Sequence, residues 1–171
     1  NGSKMLIYNQ AYDIYHTMFR ILQLSSNINK SIEIDKLKIL DFYYVFPTEL
    51  LKIKKPIGFK KYEKFLVAEI NKYDKITNPR RIFYKMNSIQ YQAIKILVAS
   101  GYLDSQSFEK GIIKFSTKEF PLSFKENIEN SNKENNKLIT LLIETLADIN
   151  LSGHLGLKER TGLIEFRYDT I

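Results

Sequence analysis

Apolar residues recur at helical spacing along most of this chain, and the breaks in that spacing divide it into segments. From Lys4 to Leu24 the residues Leu6, Ile7, Ala11, Ile14, Tyr15, Met18, Phe19 and Leu22 return at steps of three and four, which predicts an amphipathic helix. Ser25-Ser26-Asn27 supplies turn chemistry, because short polar side chains satisfy neighbouring backbone groups. A second helix is expected from near Glu33 to Pro47, where the ring removes the donor that continuation needs. Inside it, the run Leu40-Asp41-Phe42-Tyr43-Tyr44-Val45-Phe46-Pro47 sets one carboxylate among aromatic and aliphatic groups that point to every side. Such a segment has to be covered, either by the chain's own core or by a partner.

Thr48 to Ile53 reads as a last helical turn or a short strand, and Lys54-Lys55-Pro56-Ile57-Gly58 as a linker. A third helix is expected over Lys61 to Tyr73, with Tyr62, Phe65, Leu66 and Ile70 inward. Asn78-Pro79 restarts the chain in a short helix through Met86, since proline suits a first helical position. Ser88 is a candidate N-cap for a further helix to Ala99, with Ile89, Ala93, Ile96 and Leu97 inward, and Gly101 can take a left-handed conformation after it. Tyr102-Leu103 and Gly111 to Phe115 then read as two strands around a polar loop, Asp104 to Lys110.

Phe120-Pro121-Leu122 closes this stretch, and Glu126 to Asn136 is polar enough for a loop or a frayed helix start. A strong helix follows from about Glu134 to Leu151, and Leu163 to Tyr168 alternates as a short strand would. The expected fold is α+β, mostly helical: a winged-helix-like module with a short β-hairpin, packed on N- and C-terminal helices. The corresponding segments are 1–4, which has the look of a cloning scar before Met5; 5–56, a helical module; 57–125, the winged-helix-like module; and 126–171, the C-terminal helix and short strand.

Composition narrows the chemistry. With 171 residues, 44% hydrophobic, the chain can build a core, and no apolar run approaches the ~20 residues needed to span a bilayer. Together with the lack of a signal-peptide apolar region, this predicts a soluble protein of the bacterial cytoplasm with no membrane contact. There is no cysteine, so disulfides, thiolate metal sites and a cysteine nucleophile are absent. The net charge of +7 allows attraction to phosphates or an acidic partner. Most of the cations are lysine, however, with many Asn and Ile beside them, a bias that AT-rich coding DNA produces without any functional demand.

The parts of most enzymes are missing. The two histidines, His16 and His154, stand far apart and outside any metal-ligand spacing, and there is no glycine-rich phosphate loop. Glu33 and Asp35 could be imagined as nuclease acids, but acids at a helix start are better explained by the positive end of the helix dipole. The expectation is therefore a chain without enzymatic activity and without a cofactor. Arg80, Arg81 and Lys85 precede the proposed recognition helix, Gln90, Gln92 and Lys95 fall on its expected exposed side, and Lys110 and Lys114 lie in the wing. Cations for phosphates and amides for base edges are what a nucleic-acid surface needs. Winged helices also dock proteins, so the pattern alone leaves both uses open.

The block Leu37, Leu40, Asp41, Phe42, Tyr43, Phe46 and Pro47, an LxxLDFYxxFP-like motif, resembles the middle components of bacterial ABC-three-component systems, including the Lamassu defence systems. Tyr8-Asn9 through Phe19, Arg80-Arg81 and Leu97 to Leu103 support the resemblance, which runs over nearly the whole chain from Met5. It implies an adaptor between an SMC-like ABC ATPase and an effector, often a nuclease, in antiviral or anti-plasmid defence; the cations and amides named above, not the resemblance, add double-stranded DNA to the expected partners. On that reading Asp41, Phe42, Tyr43 and Phe46 are candidates for a subunit interface. The competing expectation is a free-standing winged-helix transcriptional regulator, which would be a symmetric dimer on a palindromic site.

Overall fold

A computed structural model describes residues 10–72 and 75–169. The elements run α1 (Ile14–Ser26), β1 (Ile32–Glu33), α2 (Ile34–Val45), a 3-10 turn (Pro47–Lys52), α3 (Lys60–Glu69) with a 3-10 extension (Ile70–Lys72), α4 (Pro79–Ala99), α5 (Ser105–Glu109), β2 (Ile112–Ile113), α6 (Leu122–Glu134), α7 (Asn136–Leu142), a π-helical turn (Ile143–Ala147) and α8 (Leu157–Thr161). Among the described residues the protein is thus mostly helical, with one small antiparallel sheet.

Local chemistry sets the principal boundaries. The first six residues of the expected N-terminal helix, and Tyr73 in the third, lie outside the described residues. Residues 10–12 are helical, but Asp13 breaks the run: it is extended (φ −88°, ψ 127°) and its carboxylate accepts from the His16 backbone N–H at 2.8 Å, starting α1 afresh. Pro47 ends α2 as expected and opens the 3-10 turn. At α4, the Asn78 side chain accepts from the Arg81 N–H at 3.1 Å and Pro79 occupies the first turn. This helix runs unbroken for 21 residues, so Ser88 is an exposed mid-helix residue and not an N-cap. Beyond it, Gly101 sits at φ +80°, which reverses the chain where a Cβ would be strained.

The sheet departs from a simple hairpin. Ile32 pairs with Ile113 and Glu33 with Ile112, so β2 finds its regular partner far upstream in the sequence. The expected pairing with Tyr102-Leu103 survives as a single bridge, Leu103 with Phe115, flanked by Asp104 N–H to Lys114 O and Ser116 N–H to Tyr102 O. The expected loop at Asp104 to Lys110 is instead a helical turn, because the Asp104 carboxylate accepts from both the backbone and the hydroxyl of Ser107. Of the two alternatives for 126–136, a loop or a frayed helix start, the structure takes the helix: α6 runs from Leu122 to Glu134 and a turn at Asn135 separates it from α7. The strand expected over Leu163 to Tyr168 fails: this segment is irregular, with no strand beside it among the described residues.

One core joins residues from every segment of the chain, from Ala11 through Leu40, Phe42, Met86 and Leu142 to Leu157 and Leu163. α2 occupies its centre: nine of its twelve residues are buried. Asp41, Phe42, Tyr43 and Phe46 are at most 2% exposed, so the fold itself covers the side chains assigned above to a partner interface. Phe42 meets Tyr43, Phe46 and Phe83 at ring-centroid distances of 5.0, 5.3 and 6.0 Å.

Candidate nucleic-acid interface

A buried polar cluster holds α4 in place. Arg20 of α1 donates from Nε to Asp41 Oδ1 at 2.6 Å and from Nη2 to Oδ2 at 3.2 Å, and Gln90 of α4 donates from Nε2 to the same Oδ2 at 2.9 Å. Gln90 Nε2 also reaches the Lys38 carbonyl at 3.2 Å, while Arg20 reaches the Gln10 carbonyl and Thr17. Asp41 is fully buried and the Arg20 side chain nearly so. In such surroundings a charge is tolerable only when paired and hydrogen-bonded, which explains why one carboxylate sits inside an aromatic run. Gln90, expected on the exposed side of a recognition helix, is therefore an internal strut. Its burial follows from the true phase of α4, which turns Phe83, Met86, Gln90, Ala93, Ile94 and Leu97 inward and leaves Ile96 42% exposed.

The opposite side of α4 carries Arg80, Arg81, Lys85, Gln92 and Lys95, all exposed. Arg80 touches the Glu165 carboxylate at 3.5 Å. Among the described residues, Arg81, Lys85 and Lys95 have no carboxylate within ion-pairing distance; Lys95 lies 5.5 Å from the centre of the Tyr91 ring. Lys110 and Lys114 are exposed at the far end, beside the Asp104 carboxylate. The Ser107 hydrogen bonds, and then the charges of these two lysines, hold Asp104 below the usual carboxylate range. The structure thus brings the α4 cations into one stripe and sets the two lysines of the Asp104–Ser116 turn apart from them.

Several neighbours escaped the sequence reading. Lys38, 8% exposed, donates to Asn87 Oδ1 at 2.8 Å and lies 5.4 Å from the Tyr91 ring centre; burial pushes its ammonium below the ordinary lysine value. Tyr84 is 78% exposed, and Tyr91 lies two helical turns further along the same flank. Their seven-residue spacing was the available clue. Glu33 and Asp35 each face a lysine three residues on, Lys36 at 3.8 Å and Lys38 at 3.7 Å, as ordinary helix-start pairs. His16 contacts Asp13, and His154 is 87% exposed. Among the described residues no three His, Asp or Glu side chains gather in a metal-binding group, and no helix is long and apolar enough to cross a membrane.

Comparison with protein families supplies the relationship. The model of ABC-three component (ABC-3C) system Middle Component 5 matches residues 6–169. The chain belongs to this family. It is accordingly a component of a multi-subunit ABC-3C system, as the aromatic block suggested. No curated protein and no solved structure shows significant similarity to this middle component. The LxxLDFYxxFP-like block of this member is a core motif whose acidic residue is neutralised from α1.

Proposed function

We propose that this middle component is a non-catalytic adaptor that couples an SMC-like ABC ATPase to an effector, a nuclease being the expected kind, in a Lamassu-type defence complex, and that the outer stripe of α4 contacts double-stranded DNA. The observation that carries the DNA contact is the division of α4. One side is locked to α1 and α2 through Gln90, and the other presents Arg81, Lys85 and Lys95 without a carboxylate partner among the described residues. Guanidinium and ammonium groups on such a rigid stripe suit phosphates, and Gln92 between them suits a base edge. The bridge at Leu103 and the turn carrying Lys110 and Lys114 take the place of the wing in this reading.

The decisive experiment is reconstitution. Alone, the chain should neither hydrolyse ATP nor cut DNA with Mg²⁺ or Mn²⁺. Mixed with the ATPase and effector of its own system it should coelute with them, burying more than ~1,000 Å², and restore DNA-dependent activity. Full activity of the other two subunits without it would sink the adaptor reading. A symmetric dimer on a palindromic duplex would favour a free-standing regulator instead.

A further inference from the structure

The strip of α4 that carries Tyr84 lines a cavity of about 590 Å³, closed on its far side by Leu163, Ile164 and Glu165 and at its edge by Asp35 of α2. A volume of that order suits a small organic ligand of nucleotide size. Its lining is not that of an apolar slot. Phe83, Leu163 and Ile164 offer an apolar wall, whereas Arg80, Arg81, Asn78 and Asn87 add guanidinium and amide groups. The Tyr84 ring makes no aromatic or cation–π contact among the described residues. The Asn87 oxygen is used by Lys38, which leaves the amide N–H groups without a protein partner among the described residues. Two carboxylates face the cavity, yet each is already engaged: Asp35 by Lys38 at 3.7 Å, and Glu165 by Arg167 Nε and the backbone N–H of Arg167, at 3.1 and 3.0 Å, with Arg80 further off at 3.5 Å. Lys38 and Arg167 neutralise these two carboxylates from outside the lining, and Arg81 within it has no carboxylate partner among the described residues, so an anion can enter.

We propose that this groove holds one unpaired nucleotide, with its base stacked on Tyr84, its phosphate on Arg80 and Arg81, and the Asn87 amide donating to an acceptor on the base. An exposed aromatic ring beside cations is the combination that binds unstacked bases with little regard for sequence, since every base has a π-face. Duplex DNA cannot use the ring in this way, because its bases are already stacked. The site therefore shares only Arg80 and Arg81 with the duplex-facing stripe, and it rests on that reading only through them. The nucleotide is either free in solution or one unit of a single strand or frayed end.

Binding should be measured on the full chain with three probes: AMP by calorimetry, and a labelled ten-nucleotide thymidine strand and a 20-base-pair duplex by anisotropy. Wild type should bind the strand, and Tyr84→Ala should weaken it on the order of tenfold while Tyr84→Phe retains it. Tyr84→Ala should leave duplex binding unchanged, whereas Lys85→Glu should lower duplex binding and leave AMP binding unchanged. Saturable AMP binding that is lost in Tyr84→Ala identifies a free-nucleotide site; strand binding without AMP binding identifies a strand-end site. If wild type binds neither AMP nor the strand, or if Tyr84→Ala binds both like wild type, the proposal is overturned. A protein that fails to bind duplex but shows the Tyr84 dependence would defeat the duplex reading alone.

Discussion

α2 and α4 are both rich in aromatic and charged residues, but they use them in opposite ways. In α2 nine of twelve residues are buried, its Asp41 is consumed by Arg20 and Gln90, and burial pushes the Tyr43 phenol above its ordinary value. In α4 six of 21 residues are buried, a few such as Ile82 and Val98 pack half-buried against the core, and the exposed ones include four cations, Gln92, Tyr84 and Tyr91. The motif that is most conspicuous in the sequence is therefore structural, while the face available for ligands belongs to a helix with no conspicuous motif. The contrast gives a physical criterion: a residue whose polar atoms are all answered inside the fold has none left for a partner.

The largest expected effect breaks the α2 side of this contrast. Asp41→Ala would leave Arg20 buried without its counter-charge and should cost about 3–5 kcal/mol, read as a lower urea midpoint at unchanged slope. Phe42→Ala should cost a similar amount, about 3–5 kcal/mol, through the cavity it leaves. The double replacement Arg20→Met with Asp41→Leu should recover much of the Asp41→Ala loss, because no charge then remains buried. A stable Asp41→Ala protein that has lost its partner subunits would return this residue to an interface role.

Next in size is the α4 face. If Arg80, Arg81, Lys85 and Lys95 each neutralise one phosphate, raising salt from about 50 to 200 mM should weaken duplex binding by roughly two orders of magnitude. Reversing all four charges should abolish binding and leave the unfolding midpoint almost in place. Salt-independent binding would contradict the placement. The smallest effect separates two glutamines two residues apart. Gln90→Ala should cost about 1–3 kcal/mol by stripping a hydrogen bond from buried Asp41, whereas Gln92→Ala should stay within about 0.5 kcal/mol and act only on DNA binding.

Much of the helical framework was legible because its stops are chemical: Pro47, Asn78-Pro79 and Gly101 lie where the sequence placed them. What was not legible depends on distant partners. α6 reads as a loop or a frayed helix start in sequence because Ile128 is its only buried residue, yet Gln23 of α1 donates to Ser131 Oγ and Asn132 Oδ1 and anchors it by polar contacts. β2 pairs with Ile32-Glu33, a choice that no reading of adjacent segments would make. Gln90 was assigned to the wrong side because Ile89 and Ile96 look apolar enough to set the phase, and Phe83 and Met86 outweigh them. The Asp104 helical turn, in contrast, carried a readable signature, an acid three residues before Ser107.

The antiparallel pairing of Ile32 with Ile113 closes a ring of chain around α2, α3, α4 and α5, and the exposed linker at Ile57-Gly58 lies within that ring. The Lys54 backbone N–H donates to the Arg160 carbonyl at 3.0 Å and Arg160 Nη1 donates back to the Lys54 carbonyl at 3.0 Å, which ties the near side of the linker to the C-terminal segment as well. Peptide continuity at Gly58 is therefore redundant once the protein has folded. A protease that cleaves there should yield two fragments that migrate as one species until denaturant is added, and the two halves expressed separately should reassemble. The linker is then a place where a foreign sequence, such as a fluorescent reporter, can be inserted without dividing the core.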